Sequence, residues 1–469
     1  MDYTFNANKF FHYRSEIDDI QVNVFFIEGN EEKAKMYASN SMKLVTYLKD
    51  IYGIFPYHSY NISEVPPSIT KGLGGSGGQG LNFYPTNGLR DDVFEFPLIA
   101  HEVGHMWWGS WVMSTDASSA MIDEGFSQLN AVLCFRHFYG EKAMWEFLKN
   151  GGELYPQSAR NYFASFGNGE HDMPMGTYDE GAERYFNELA YVKAHFVYAM
   201  LMETVGYDSF MRGIRWIIEE YANKQFDIPN LKRIMEEESS MNLDYFFDQW
   251  FFRKGAPEFS MDYSISQLDD GRYQVSGTVK QLREVYQVSA EIGLISADYQ
   301  MIKKLDITGL ETDFSYTLNY KPIAVVFDPD YKILRWTDEF KNLPLLNEAI
   351  VKAFSGKDEE AITDFMQIIE KEPFNLTAHT FIGQAYYNIE KYELAKTHYQ
   401  TVTESFESEG TMSHTIPYAY CGLGKTYEAM GQNEKASLYY KKVLQLIDVD
   451  GTHARARAFF EKRESNVKD

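Results

Sequence analysis

The hydrophobic period changes twice along this chain, and those two changes limit the folds open to it. Helical spacing, interrupted near glycines, dominates from Val93 to about Phe252. At Gly255-Ala256-Pro257 the period drops to two. There FSMDYSIS, RYQVSGTV, VSAEIGLIS, FSYTLNY and AVVFD alternate, with an Asp270-Gly271 hairpin turn between the first pair. After Leu343 helical spacing returns. Such blocks predict a multidomain chain: a mainly helical unit, a small β-sandwich, then a helical array. Upstream, DIQVNVFF alternates within residues 1–30 and reads as one or two strands, too few for a sheet alone. Ala34, Tyr37, Met42, Leu44, Leu48 and Ile51 then form a helical stripe that stops at Gly53 and Pro56, and a short strand is expected at 60–65. The glycine-rich GLGGSGGQG at 72–80 reads as a mobile loop. It lacks the Lys-Ser or Lys-Thr of a phosphate loop.

At 469 residues the chain predicts two to four domains. Its net charge of −24 argues against a nucleic-acid partner, since phosphate backbones are gripped by basic stripes and no run of Lys and Arg supplies one. Of that charge, −14 lies within residues 1–257, a field that favours substrates with a free amine or basic side chains. Cys134 and Cys421 sit far apart in apolar helical patterns and read as buried free thiols. No apolar run approaches the roughly 18 residues of a membrane span, and the first thirty residues lack a signal peptide's pattern. A soluble, cytoplasmic protein is expected.

The C-terminal helices repeat. Ala361 and Phe365 recur 34 residues on as Ala395 and Tyr399, and Gly383 and Ala395 recur 41 residues on as Gly424 and Ala436. The surplus of seven is expected in an acidic loop around SFESEG. Tyr386 and Tyr427 follow the two glycines by three, and Pro373 follows Ala361 by twelve. The pattern resembles the tetratricopeptide repeat, whose helices need small residues where they cross. It implies three units, the first degenerate, a closing helix at 453–464, and a surface for a protein partner or a second copy of the chain.

His101-Glu102-Val103-Gly104-His105 follows the apolar run FEFPLIA, on an expected helix. Histidines four apart share a helical face and can reach one ion. After eighteen intervening residues comes Glu124 in MIDEGFSQ, in a second helical stretch that follows the cap-like cluster Ser114-Thr115-Asp116. A helix, a loop and an antiparallel helix carry it back over the pair. Two imidazoles and a carboxylate fill three of four tetrahedral zinc positions and leave one open, the arrangement of a catalytic site. Magnesium and calcium prefer oxygen shells, and no cysteine is near to close a structural site. Zinc there lowers the pKa of a water it binds to about 7. Glu102, off the ligand face, is placed to take the proton and pass it to a leaving amine.

HEVGHMWWG followed by Asp123-Glu124-Gly125-Phe126 resembles the aminopeptidase N family of gluzincin metallopeptidases, with its HExxHxWxG motif and a glutamate in an NEGF context. Asp123 stands where the family has Asn and preserves an acceptor there. The resemblance implies a thermolysin-like catalytic domain, one zinc ion, and a tyrosine that donates its hydroxyl to the tetrahedral oxyanion. Tyr191 in Tyr191-Val192-Lys193-Ala194, 67 residues past Glu124, is the candidate, with Tyr185 a weaker one. FFDQWFFRKGAP resembles the end of the family's catalytic domain, and KPIAVVFDPD belongs to a segment resembling the domain that follows. The resemblance covers roughly residues 20–340. Most of the family's N-terminal β domain is missing from this chain. In the family, Gly-x-Met-Glu-Asn precedes the zinc helix, and its glutamate binds the substrate's free amine. Here that register is Gly74-Gly75-Ser76-Gly77-Gly78, ahead of a segment at 81–85 that matches the family's edge strand. Gly77 replaces the glutamate. Gly74, Gly75, Gly77 and Gly78 still offer backbone for an extended substrate by strand addition.

The expected domains are thus remnant strands of an N-terminal β domain at 1–30, a catalytic domain at 31–257, a β-sandwich at 258–340 and a tetratricopeptide-like domain at 341–469. The expected function is zinc-dependent hydrolysis of peptide bonds, aminopeptidase-like but without the amine-binding glutamate. An endopeptidase or broader peptidase is the first alternative. A repeat-based binding or scaffold protein with a vestigial metal site is the second, and the intact base Glu102 argues against it.

Overall fold

A computed structural model describes residues 8–17, 19–27, 31–70, 75–86, 89, 96–115, 120–151, 157–165, 172–177, 189–296, 300–373, 375–409, 415–446 and 451–465. The chain divides into two compact units, Met1–Trp336 and Thr337–Asp469.

The first unit begins with a five-stranded sheet in the order β1-β2-β3-β5-β4, where β1 is Phe11–Ile17, β2 Ile20–Phe26, β3 Ser59–Val65, β4 Ser76–Gly78 and β5 Leu81–Pro85. The β1–β2 hairpin is antiparallel, β2, β3 and β5 run parallel, and β4 turns back antiparallel on β5. The two strands of residues 1–30 therefore join a sheet completed by later segments. Alternation buries Ile20, Val22, Val24 and Phe26, and helix α1 (Glu31–Tyr52) packs on β1 and β2, burying Ala34, Tyr37, Met42, Val45 and Leu48 at helical spacing.

Two expectations are corrected here. Leu81–Pro85 is an inner strand, and the edge is β4, so part of the glycine tract is strand where a loop was expected. A run of glycines carries no side-chain alternation, so periodicity cannot reveal a strand within it. The β4–β5 turn uses positive φ at Gln79 (52°) and Gly80 (87°). Residues 72–74 of the tract lie outside the described residues.

The middle of the unit is helical: α2 (Phe96–Gly104), α3 (Phe126–Tyr139), α4 (Ala194–Val205) and α5 (Asp244–Phe251), with further helices Glu141–Asn150, Ala159–Ser165, Tyr207–Glu220 and Ile228–Ser239. Every residue of α3 from Phe126 to Cys134 is buried, as is nearly all of α4, so both are central helices that show no polar face. Helices α2 and α3 meet where Gly104 has no side chain. A Cβ there would lie 2.0 Å from Asn130 Nδ2 and 2.9 Å from Ser127 Cα. Periodicity did not indicate a short parallel pairing of Met113–Ser114 with Gln225–Phe226, nor two π-helical turns, Ala120–Gly125 and Leu189–Lys193.

Two three-stranded antiparallel sheets follow. One orders β9-β8-β11 (Gln300–Ile307, Val288–Ile295, Ala324–Phe327) and the other β10-β7-β6 (Glu311–Leu318, Tyr273–Gln281, Phe259–Gln267). They bury Val275, Val279, Ile292, Leu294, Phe314 and Leu318. Strand β9 was absent from the expected set. Its adjacent Met301-Ile302 and Lys303-Lys304 break the alternation, and it is an edge strand with Ile302 exposed.

The second unit stacks helices α6 (Leu343–Phe354), α7 (Asp358–Lys371), α8 (Leu376–Asn388), α9 (Tyr392–Glu409), α10 (Thr415–Ala429), α11 (Asn433–Val443) and α12 (Thr452–Ser465). Each packs on its sequence neighbour. The repeated glycines lie where helices touch: a Cβ at Gly383 would meet the Tyr399 ring at 2.8 Å, and one at Gly424 the Tyr440 ring at 2.7 Å. SFESEG is corrected as well, since its first five residues extend α9 and do not form a loop. Cys134 and Cys421 are buried free thiols. No described helix is long and apolar enough to cross a membrane.

Candidate metal centre

The site is built from α2, the turn that follows it, and the two π-helical turns. His101 and Glu102 lie in the buried C-terminal half of α2, and His105 in the turn just beyond. Trp107 and Trp108, fully buried, pin that turn. Trp107 Nε1 donates to the Ile54 carbonyl at 2.9 Å, and the rings of Trp108, Phe126 and Tyr198 stack in sequence with centroids 4.4 and 4.2 Å apart. Glu124 enters from the π turn Ala120–Gly125, which leads directly into α3.

His101 Nε2 and His105 Nε2 are 3.2 Å apart, and Glu124 Oε2 lies 3.3 Å from the first and 3.5 Å from the second. Four-coordinate zinc bonded at about 2.0–2.1 Å separates any two ligand atoms by about 3.3–3.4 Å. The three atoms thus match one face of such a tetrahedron. Among the described residues they form the one group of three His, Cys, Asp or Glu side chains able to share an ion. Orientation is set from behind: His105 Nδ1–H donates to the Trp108 carbonyl at 3.1 Å, with Ser127 Oγ 3.0 Å away, which turns Nε2 toward the site.

The charges are strongly coupled. Burial opposes a charged Glu124, yet hydrogen bonds from both imidazoles hold its carboxyl well below the usual range. Burial likewise opposes protonation of His105, but Glu124 pushes it up to about 9. Burial raises Glu102, against the pull of the two histidines. Asp123, which accepts from the Ser114 hydroxyl at 2.8 Å, is raised by burial to about 6. His195, wholly buried, is held neutral by burial and by His101, down to about 3.

Tyr191 sits in the second π turn, its ring centroid 5.7 Å from that of His101. Burial and the negative charge of Glu124 push its hydroxyl above the ordinary phenol range, so it stays a donor. The two π turns pack on each other. Gly75 backs the base: a Cβ there would meet Glu102 Oε1 at 2.5 Å. Gly77 and Gly78 lie in edge strand β4, where a Cβ at 77 would come within 2.6 Å of Asn82 Cα. Gly74, Tyr185 and Asp116 lie outside the described residues. Sequence reasoning missed Ser127, Gln128, Asp172 and His195. Only Lys193, in the quoted Tyr-x-Lys segment, carried a signal.

Residues 89–250 match the Peptidase family M1 domain, and residues 376–408 and 417–448 match the tetratricopeptide repeat. Residues 89–250 are thus similar to that peptidase domain, and the C-terminal helices to tetratricopeptide repeats. Among its relatives are probable aminopeptidase 2 of Sulfurisphaera tokodaii, 19% identical over 391 residues (76% of this chain, 49% of that protein), and aminopeptidase M1-A of Oryza sativa subsp. japonica, 21% identical over 314 residues (64% and 34%). The chain spans about half or less of the length of these relatives. The crystal structure of Legionella pneumophila aminopeptidase A in complex with aspartic acid shares the fold with a TM-score of 0.57 at 12% identity, over 97% of this chain and 61% of that one.

Proposed function

We propose that this chain is a zinc-dependent peptidase that hydrolyses peptide bonds in extended substrates, with an aminopeptidase-like site that has glycine at position 77. The observation that carries it is the triangle of His101 Nε2, His105 Nε2 and Glu124 Oε2 at 3.2–3.5 Å, with a buried carboxylate, Glu102, next to His101 on α2. His101, His105 and Glu124 would hold the ion. A zinc ion there would supply polarisation of the scissile carbonyl and a lower pKa for a nearby water. Glu102, buried beside His101, would accept a proton from a water there and deliver it to the leaving nitrogen. Tyr191, kept protonated, donates its hydroxyl to the developing oxyanion. Gly77 and Gly78 of edge strand β4, with Gly75 and Gly74 preceding it in sequence, bind the substrate main chain.

A division at residues 30, 257 and 340 accompanies this proposal, the repeats after 340 binding a protein partner or a second copy of the chain. A second reading, an endopeptidase or broader peptidase, is favoured by position 77. No side chain there can count the substrate from its amine, and the close approach to Asn82 leaves no room for one without moving the hairpin. Hydrolysis of matched peptides with free and acetylated N-termini, before and after chelation and zinc readdition, tests both. Zinc-restored cleavage is expected, with acetylated peptides among the substrates. Cleavage of free-amine peptides alone would remove the second reading, and no cleavage of either by zinc-loaded protein would remove the first.

A further inference from the structure

Tyr191 lies in Leu189–Lys193, a single π-helical turn that runs straight into α4. Such turns are rare and recur at functional sites. Two of its five residues are gripped from other elements. Gln128 of α3 donates Nε2 to the Tyr191 carbonyl at 3.0 Å. Lys193, its side chain wholly buried, places Nζ 3.1 Å from Oδ2 of the equally buried Asp172 and 3.3 Å from the Gly255 carbonyl. Asp172 gathers the remaining donors: Oδ2 accepts from the Gly255 N–H and the Tyr162 hydroxyl, and Oδ1 from the Met173 N–H at 2.9 Å. The Lys193 ammonium also lies 5.5 Å from the Tyr162 ring centroid.

We propose that Lys193 and Asp172 are a positioning pair for Tyr191, locking its π turn to Gly255, where the chain passes from α5 toward the β-sandwich. This rests on the proposed role of Tyr191 as oxyanion donor. A buried ion pair adds little net stability over apolar packing of the same volume, so stability alone does not account for it. What it adds is register. Gly255 offers both its N–H and its carbonyl to the pair, and a shift of the turn by one residue would strand a buried ammonium and a buried carboxylate without partners. Tyr191, two residues before Lys193 on that turn, inherits the same constraint. Its hydroxyl must meet the oxyanion within a narrow range of distance, so a small drift falls on the rate of the chemical step and leaves metal and substrate binding alone.

The test is a double-mutant cycle on the full chain, with Tyr191→Phe, Lys193→Met and the double variant compared with wild type for kcat, KM, bound zinc and circular dichroism. Lys193→Met is expected to lower kcat by about 10- to 100-fold with KM and zinc unchanged. In the Tyr191→Phe background the same change should cost about twofold or less, because the group it positions is already gone. Equal factors in both backgrounds would overturn the proposal while leaving Tyr191 its role. An unchanged kcat in Tyr191→Phe would remove that role and the proposal together. If Lys193→Met fails to fold, Tyr162→Phe replaces it in the same cycle; it removes one hydrogen bond to Asp172, and the same non-additivity is expected at a smaller factor.

Discussion

Gly75→Ala is a one-methyl perturbation aimed at the proposed base. The added Cβ would lie 2.5 Å from Glu102 Oε1, 2.8 Å from Cδ and 3.0 Å from Cγ, whereas ordinary contact begins near 3.4 Å. Either the carboxylate withdraws by about 0.9 Å or β4 moves outward by a similar distance. Only rotation about χ1 moves all three atoms together, and Glu102 is only 5% exposed, so it has little free space to enter. A catalytic group displaced by about 1 Å costs on the order of 100-fold in rate, equivalent to about 2.7 kcal/mol of transition-state stabilisation. The overpacking itself costs about 1–3 kcal/mol of stability. The three nearest atoms to the new methyl all belong to Glu102, so the ligand triangle is untouched. The expected result is kcat on a fluorogenic peptide lowered about 30- to 100-fold, with zinc stoichiometry retained. Ser76→Ala, at an exposed neighbouring position on β4, serves as the control and should be neutral. A Gly75→Ala protein with wild-type kcat, or one that loses zinc in step with activity, would refute the reasoning.

Other outcomes follow from the same contacts. Gly104→Ala drives a methyl into Asn130 and the Ser127 backbone, so it should cost about 3 kcal/mol or more and weaken zinc binding, read by thermal melting and competitive zinc titration. Unchanged values for both would mean that α2 and α3 do not meet there. In the repeat region, His379 Nδ1 and His398 Nδ1 are 2.9 Å apart, and burial, then the neighbouring His379, holds His398 down to about 4. The unfolded chain takes up that proton first, so stability should fall as pH drops from about 6.5 to about 4, then level off. After discounting for partial solvation the loss is about 1–2 kcal/mol, visible as smaller hydrogen-exchange protection factors in α8 and α9 at pH 5 than at pH 7.5, each corrected for the intrinsic pH dependence of exchange. A His398→Gln variant should shrink the difference, with a remainder from His379, which burial also lowers; an unchanged difference would assign the effect elsewhere.

Much of this arrangement is legible in residue order because its signals are local. Histidines four apart must share a helical face, and the period change after Pro257 must end a helical block. The unreadable parts depend on phase or on missing side chains. AMIDEG and LAYVK differ from α-helix by one residue per turn, a difference that a hydrophobic pattern cannot register. The residues of β4 leave almost no pattern, although Gly75 stands directly against Glu102. Asp172 meets Lys193 only because segments 21 residues apart converge on Gly255, 62 residues further along. Strand β9 hides behind its paired lysines, which suit an edge strand and spoil its alternation.

The most direct measurement is zinc content together with peptide turnover for wild type and Glu102→Ala. Hydrolysis by wild type, with stoichiometric zinc in both proteins and turnover lowered by about 100- to 10,000-fold in the variant, is the predicted result. Stoichiometric zinc in both, with turnover unchanged in Glu102→Ala, would contradict it.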